Sequence, residues 1–147
     1  KKILADFPNY FLCIHGNHEE RPYHIQTYRT QIWRGGEVYY EPEFPNIVFA
    51  KDGEIYDFDG KKAIAIGGAY SQDKEYRLIT GLPWFPDEQP DDKVKSQVEN
   101  KLNEVDWKVD YVFSHTCPLV YRPNRRNEEC QEKIDLSTEE WMKLQRN

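Results

Sequence analysis

The sequence has no apolar run long enough to cross a membrane, and it contains few sulfur-bearing residues. Of its 147 residues, three are Cys and one is Met. A membrane-spanning helix needs about 20 consecutive apolar residues, and no such run or signal peptide is present. An odd number of cysteines without regular spacing does not indicate a disulfide framework. These absences predict a cytoplasmic protein with reduced thiols and no membrane partner.

The chain also lacks an excess of basic residues. It has 20 Lys and Arg against 26 Asp and Glu, and its net charge is -6. Nucleic-acid-binding surfaces are usually concentrated positive patches, and this composition gives no such patch over the whole chain. A short arginine cluster at residues 122–126 is followed at once by two glutamates, which is typical of a solvated loop. The composition therefore disfavours nucleic acid as a partner.

A chain of 147 residues is long enough to form one domain with a substantial core. The sequence shows no internal repeat and no low-complexity segment. It begins with Lys1 rather than Met. We therefore expect residues 1–147 to form a single domain that is a fragment of a longer one.

Several segments have patterns that predict helices and strands. The apolar run at residues 10–14 lies between Pro-Asn and a glycine and predicts a buried strand, and residues 109–114 predict another. Residues 91–106 place apolar side chains at helical spacing after an acidic start, which predicts an amphipathic helix. The capping-box pattern at residues 137–140 predicts the beginning of a final helix.

The middle of the chain has the pattern of antiparallel strands. From residue 46 onward, Asp52-Gly53 and Asp59-Gly60 separate three strand-like runs. Asp-Gly pairs favour type I′ turns because both residues accept positive φ angles, so we expect a three-stranded meander. Residues 69–90 predict a long functional loop, and residues 19–30 have turn and weak helix character. Taken together, the elements predict an α/β fold, or α+β by some classifications.

Two of the predicted strands, distant in sequence, each end at a histidine. The segments are "FLCIHGNHE" and "DYVFSHTCP". In layered α/β folds, polar groups at the carboxyl ends of strands converge on one crevice, so we expect Asn17, His18 and His115 to lie close together. Gly16 allows the backbone to turn sharply there. An imidazole and an amide oxygen together suit a divalent transition metal.

These two segments resemble signature blocks of the calcineurin-like metallophosphoesterases. "GNHE" resembles the third block of that family, G-N-H-[DE], and "SHTCP" resembles the fourth, a strand that ends in a metal-binding histidine before a proline. The resemblance covers most of residues 10–118, including the strand exit "GGAYS" and the helix between the blocks. It implies a partial metallophosphoesterase-type layered β-sandwich flanked by helices.

The resemblance also implies a role for individual residues. Asn17 and His115 would be ligands of the second of two divalent metal ions, either Mn, Fe or Zn. His18 would be the catalytic imidazole that contacts the scissile phosphate and helps to protonate the leaving oxygen. In the family, a hydroxide that bridges the two metals attacks phosphorus in line. We further expect Arg77 to bind the phosphate of an ester substrate.

Three other blocks of the family are absent. No Asp-x-His, Gly-Asp or Gly-His-x-His sequence occurs. Two ligands cannot hold a dinuclear centre, because even a single zinc ion normally takes three or four protein donors. We therefore expect the intact protein to hydrolyse phosphoric esters and residues 1–147 alone to be inactive. Loss of neighbouring strands would also expose the edge of residues 10–14, which predicts self-association or docking on another chain.

Two alternative interpretations stay open at this point. The chain could be a non-catalytic binding or scaffold module with a degenerate metallophosphoesterase fold. It could also carry a mononuclear zinc site formed by His15, His18 and His115 with either Cys13 or Cys117.

Overall fold

Two small sheets and several helices form the part of the chain that the computed structural model describes, residues 1–121 and 135–144. The strands of the first sheet are β1 (Phe11–Cys13), β2 (Arg29–Trp33), β3 (Gly36–Tyr40) and β4 (Ile47–Ala50). The strands of the second sheet are β5 (Ile55–Phe58), β6 (Lys61–Ile66) and β7 (Tyr111–Ser114). The α-helices are α1 (Lys2–Ala5), α2 (Lys74–Thr80), α3 (Asp92–Glu104) and α4 (Ser137–Leu144). The predicted mixed α/β class is confirmed.

Parallel and antiparallel pairs occur in both sheets. The first sheet has the order β1-β4-β3-β2, with β1 parallel to β4 and the other pairs antiparallel. The second has the order β5-β6-β7, with a β5-β6 hairpin and β7 parallel to β6. Both β1 and β7 therefore lie at a sheet edge in the described part of the chain. These are the strands predicted at residues 10–14 and 109–114, although β1 is half-buried rather than buried.

The predicted amphipathic helix is confirmed as α3. The side chain of Asp91 caps its first turn by accepting the Val94 N–H at 2.8 Å, which satisfies a backbone donor that the helix itself leaves free. Val98 and Leu102 are its buried residues. They pack in a core with Ile64 and side chains of α4, the helix that the capping box predicts. Apolar spacing thus places α3 against the second sheet.

Only one of the two predicted Asp-Gly turns joins paired strands. Asp59 and Gly60 have φ angles of 56° and 86° and connect β5 to β6, as expected. The Asp52-Gly53 prediction is wrong, because β4 belongs to the first sheet and β5 to the second. The Asp52 carboxylate accepts the Gly67 N–H at 2.6 Å instead. The chain crosses between the sheets at this point, so there is no meander.

Two elements appear where the sequence predicts turns or loop. Residues 19–30 contain a short 3-10 turn, Pro22–His24, and the start of β2, which pairs with β3 through a turn at Arg34 and Gly35. Both turn residues have positive φ angles, 49° and 87°. Helix α2 lies inside the predicted loop at residues 69–90 and has no buried residue. A helix without an apolar stripe leaves no periodic signal in the sequence.

A second core joins the two sheets. Tyr56 of β5 is fully buried and packs with Val38 and Val48 of the first sheet. Its hydroxyl donates to the Glu37 carbonyl at 2.8 Å and accepts the Lys51 N–H at 3.0 Å. The Tyr56 hydroxyl therefore links β5 by hydrogen bonds to β3 and to the residue that follows β4.

The sequence also makes predictions about membrane spans, cysteines and a basic cluster. Among residues 1–121 and 135–144, no helix is both long and apolar enough to cross a bilayer. Cys13 and Cys117 are free thiols. Cys130 and the arginine cluster at residues 122–126 lie outside the described residues.

Replacing Tyr56 by Phe tests how the sheets are joined. Tyr56→Phe leaves a partly buried carbonyl and N–H without their partner, so we expect the free energy of unfolding to fall by about 1–3 kcal/mol. The control is Tyr111→Phe, because the Tyr111 side chain is half exposed. Urea denaturation should show a change within about 0.5 kcal/mol for that variant. Equal losses in the two variants would contradict the role of the Tyr56 hydroxyl.

Candidate functional site

The turn after β1 brings the two histidine motifs into contact. Gly16 is buried, and a Cβ atom placed on it would lie 3.1 Å from Cε1 of His115. Its N–H donates to the Glu19 carboxylate at 3.1 Å, and the His115 N–H donates to the Ile66 carbonyl at 3.2 Å. A side chain at residue 16 would be a tight contact with the imidazole, so glycine favours this close approach.

Asn17 and His115, the expected metal ligands, lie side by side. The distance from Asn17 Oδ1 to His115 Nε2 is 2.9 Å, although the two residues are 98 positions apart. Asn17 is half-buried and His115 is exposed, so solvent reaches the pair. The amide nitrogen of Asn17 donates to the Ser71 Oγ at 2.8 Å. The expected convergence of the two strand ends is thus present for this pair.

The two atoms of this pair are separated by a distance that neighbouring ligands of one metal ion also have. Adjacent ligands on an octahedral ion with bonds of about 2.1 Å are separated by about 3 Å, close to the 2.9 Å between Asn17 Oδ1 and His115 Nε2. Amide oxygen and imidazole nitrogen are donors that Mn, Fe and Zn accept. In the structure a hydrogen bond joins the two atoms, so the His115 Nε2 would have to lose its proton before it could bind a metal ion.

His18 belongs to a separate hydrogen-bonded ring with Asp73 and Arg77. The His18 Nε2 lies 3.0 Å from the Asp73 Oδ1, and the Arg77 Nη2 lies 2.8 Å from the His18 Nδ1. Arg77 Nε closes the ring by donating to the Asp73 Oδ2 at 2.8 Å. Because arginine keeps its protons, Nδ1 must accept and Nε2 must carry the hydrogen. The ring therefore fixes the tautomer and the orientation of the His18 imidazole.

Asp73 is a member of the site that sequence reasoning missed. Burial raises its pKa, but the hydrogen bonds from Arg77 and His18 outweigh this and hold the pKa of Asp73 below its usual range. The signal in the sequence is an Asp and an Arg four residues apart, the spacing of a helical ion pair. An ion pair at this spacing is expected only within a helix. The sequence pattern of residues 69–90 predicts a loop, so the pair was not predicted.

Arg77 lies in the site, but most of its guanidinium is occupied. Besides the contacts to Asp73 and His18, its Nη1 donates to the Pro83 carbonyl at 2.9 Å. A guanidinium has five N–H groups, so the three bonds leave two N–H groups that could meet a phosphate. Its expected role in binding substrate stays a prediction.

His15 is buried next to the site, against Gly67 and Asp52. It is 4 % exposed, and a Cβ atom on Gly67 would lie only 2.1 Å from its ring. Its Nε2 lies 3.5 Å from the Asp52 Oδ2. Burial, with the nearby charges of Arg21 and His115, lowers the pKa of His15 to about 3. His15 is therefore neutral at physiological pH.

The histidines of the alternative mononuclear zinc site face different partners in the structure. Among residues 1–121 and 135–144, no three or more His, Cys, Asp or Glu side chains are arranged to hold a metal ion. His15 faces Gly67 and Asp52, whereas His18 faces Asp73. Burial also raises the pKa of the Cys13 thiol, which disfavours the thiolate that zinc requires.

A buried arginine joins the site to the following loop. Arg21 is 3 % exposed, and its guanidinium donates to the carbonyls of Asp87 and Glu88. The Glu88 carboxylate in turn accepts the Ser71 N–H at 3.2 Å and the Trp84 Nε1–H at 2.8 Å. Residues 84–88, which we call the brace, therefore fix the position of Ser71 beside Asn17 through hydrogen bonds. Sequence reasoning missed this brace because its members are distant in the chain.

The buried position of His15 predicts how stability depends on pH. Its pKa is about 3 in the folded chain, against 6.5 for an unperturbed histidine, so the unfolded state binds a proton more readily between these values. Above pH 6.5 His15 is neutral in both the folded and the unfolded chain, so it does not make the free energy of unfolding depend on pH. As the pH drops from 6.5 toward 3, the free energy of unfolding falls by up to about 1.4 kcal/mol per pH unit. Urea denaturation between about pH 7 and pH 5 measures this slope.

Two variants separate His15 from the other titrating groups. His15→Gln, which cannot gain a proton, should reduce the slope of stability against pH. His24→Gln changes an exposed histidine and leaves His15 in place, so it should keep the wild-type slope. A wild-type slope in His15→Gln would contradict the assignment.

Comparison with protein-family models finds no match to this chain, and no curated protein or solved structure matches it.

Proposed function

We propose that the protein is a metal-dependent phosphoric ester hydrolase of the calcineurin-like metallophosphoesterase type. The observation that carries the proposal is the 2.9 Å approach of Asn17 Oδ1 to His115 Nε2. The two atoms come from the two segments that resemble family blocks, and their spacing suits neighbouring ligands of one metal ion. Asn17 and His115 would hold one of two divalent ions, either Mn, Fe or Zn.

The metal ions, when bound, supply an activated hydroxide and neutralise charge on the phosphoryl oxygens. The contribution of this chain to proton transfer comes from His18. A general acid needs an imidazole that carries both protons, because the neutral ring would become an anion if it gave up its only N–H. In the structure, Arg77 donates to Nδ1 at 2.8 Å and blocks the second proton there. The closed ring therefore corresponds to a resting arrangement of His18.

A substrate phosphate provides a reason for the ring to open. Phosphate oxygens attract a guanidinium strongly and in bidentate fashion, and Arg77 has two N–H groups to offer. When Arg77 turns toward the phosphate, Nδ1 of His18 is free to accept a proton from solvent, which it then gives to the leaving oxygen. The Asp73 carboxylate, 3.0 Å from Nε2, then stabilises the imidazolium. Binding of the substrate and charging of the acid are thereby coupled through Arg77.

We infer that residues 1–147 do not turn over substrate by themselves. They supply Asn17 and His115 as donors, and a dinuclear centre needs more ligands than two. The sequence contains no Asp-x-His, Gly-Asp or Gly-His-x-His block to provide them.

An activity assay on the complete reading frame, whatever its length, tests the proposal. We expect Mn²⁺-dependent hydrolysis of an aryl phosphate, and no turnover by residues 1–147 alone. His18→Ala should lower kcat by about 10²–10⁴-fold, as loss of a general acid does. The matched control is His24→Ala, which removes an exposed histidine that contacts Asp87 and should leave kcat unchanged. Absence of turnover would refute the proposal and favour the non-catalytic scaffold.

We also infer that copies of this chain associate through the edge of β1. An apolar groove of about 1060 Å³ lies beside this edge, and residues of both β1 and β7 line it. In the described part of the chain, each of these strands has one neighbour in its sheet, and an unpaired edge offers backbone N–H and C=O groups to another strand. A strand from a second copy would bury Leu12, Trp33 and Phe58, which line the groove.

A charged residue in the groove tests the association. Val112 lies on the β7 side of the groove and is 52 % exposed, so Val112→Lys should disfavour a second strand in the groove and shift the chain toward monomer in sedimentation velocity. Ile32→Lys places the same charge on β2, the opposite edge of the first sheet, and should leave the association unchanged. A monomeric wild-type chain at high concentration would contradict the inference.

A further inference from the structure

Ser71 is a completely buried polar residue next to the proposed metal pair. It is 0 % exposed and lies 54 residues after Asn17, in the segment that leaves β6. Its hydroxyl accepts the Asn17 Nδ2–H at 2.8 Å. Ser71 thus holds the end of the carboxamide opposite to the one that faces His115.

An asparagine needs such a partner if it is to present its oxygen at a fixed point. The χ2 torsion of Asn is broad, so a carboxamide that is held at one end alone can swing. A metal ion binds the oxygen but not the amide nitrogen. With Nδ2 bound to Ser71, Oδ1 stays 2.9 Å from the His115 Nε2. The separation that suits a metal ion therefore depends on a bond that the metal does not make.

Ser71 can do this because it is itself fixed. Its N–H donates to the Glu88 Oε1 at 3.2 Å, and the Trp84 Nε1–H donates to the Glu88 Oε2 at 2.8 Å. The Glu88 carbonyl accepts from the buried Arg21 at 3.3 Å. Since solvent does not reach Ser71, water is poorly placed to replace its hydroxyl.

We propose that Ser71 is a positioning residue that holds the Asn17 carboxamide in the orientation needed to bind a divalent metal ion with His115. This rests on the proposed function, in which Asn17 and His115 are metal ligands. Residues that orient metal ligands commonly change metal affinity by about 10–100-fold when they are removed. Loss of the Ser71 hydroxyl should therefore weaken metal binding while the strands that carry Asn17 and His115 stay in place.

Paramagnetic broadening by Mn²⁺ in NMR spectra of the complete reading frame, whatever its length, tests this role. In the wild-type chain, Mn²⁺ should broaden the His115 ring signals and the Asn17 side-chain amide signals. Ser71→Ala should need about 10–100-fold more Mn²⁺ than the wild type for equal broadening. The control is Ser114→Ala, the same change next to His115, and it should keep the wild-type midpoint.

A second measurement needs no metal. The Asn17 side-chain amide hydrogens should exchange with solvent faster in Ser71→Ala, whereas those of Gln97, which donates to the Asp52 carbonyl, should keep their rate. Equal Asn17 exchange rates in the wild type and Ser71→Ala would show that the hydroxyl does not hold the carboxamide, and would overturn the proposal.

The possible outcomes are distinct. A wild-type chain without broadening at His115 refutes the proposed metal pair, and the role of Ser71 with it. Equal midpoints in the wild type and Ser71→Ala overturn the role of Ser71 and leave the metal pair standing. If Ser71→Ala does not fold, Ser71→Cys provides the comparison, because a thiol of similar size accepts hydrogen bonds only weakly. An unchanged midpoint in Ser71→Cys would likewise overturn the proposal.

Discussion

The arrangement of the site depends on two places where an imidazole ring lies directly against a glycine. The ring of His15 covers Gly67 at the exit of β6, and the ring of His115 covers Gly16 in the turn after β1. The turn after β1 supplies the His15 ring to one contact and Gly16 to the other. A Cβ atom at Gly67 would lie 2.1 Å from the His15 ring, so a side chain there would force the two segments to shift. The Asn17 Oδ1 lies 2.9 Å from the His115 Nε2 beside these two contacts.

These contacts are supported by a layer of buried polar groups rather than by apolar packing alone. Arg21 and His15 lie 3.6 and 3.5 Å from the Asp52 carboxylate, and Asp52 accepts the Gly67 N–H. Burial raises the pKa of Asp52, while that N–H and Arg21 oppose the rise. Such buried charges add little net stability, but removal of one partner is costly because it leaves the others unpaired. The layer therefore fixes one geometry for the turn after β1.

The proposed function divides the site between two groups of residues that are adjacent in sequence. Asn17 faces His115 and Ser71, whereas the next residue, His18, faces Asp73 and Arg77. Successive side chains in an extended turn point in different directions, so one short segment can serve a metal ion and a leaving group. Both groups use partners from the segment after β6, at residues 71–77. In the proposed mechanism, residues 71–77 supply the hydrogen-bond partners of both side chains in the "GNHE" turn.

Local signals in the sequence were sufficient for elements whose structure is decided locally. The strands at residues 10–14 and 109–114, helices α3 and α4, and the Asp59-Gly60 turn follow from apolar spacing, the capping box and φ preference. The motifs also indicated that Asn17 and His115 would meet. In each case the residues that decide the structure are near neighbours in the chain, or lie at strand ends whose direction the fold class dictates.

Tertiary structure decided the rest, since the deciding contacts join distant residues. Asp52-Gly53 has the sequence of a hairpin turn, but the Asp52 side chain bonds to Gly67 and the chain passes to the other sheet. Ser71 and Asp73 became partners of Asn17 and His18 across 54 and 55 residues. Neither has a periodic or motif signal that points to its partner. The sequence by itself determined which elements form and which residues could do chemistry, whereas packing between the sheets determined which of those residues touch, because hydrogen bonds between remote segments exist only after the core has formed.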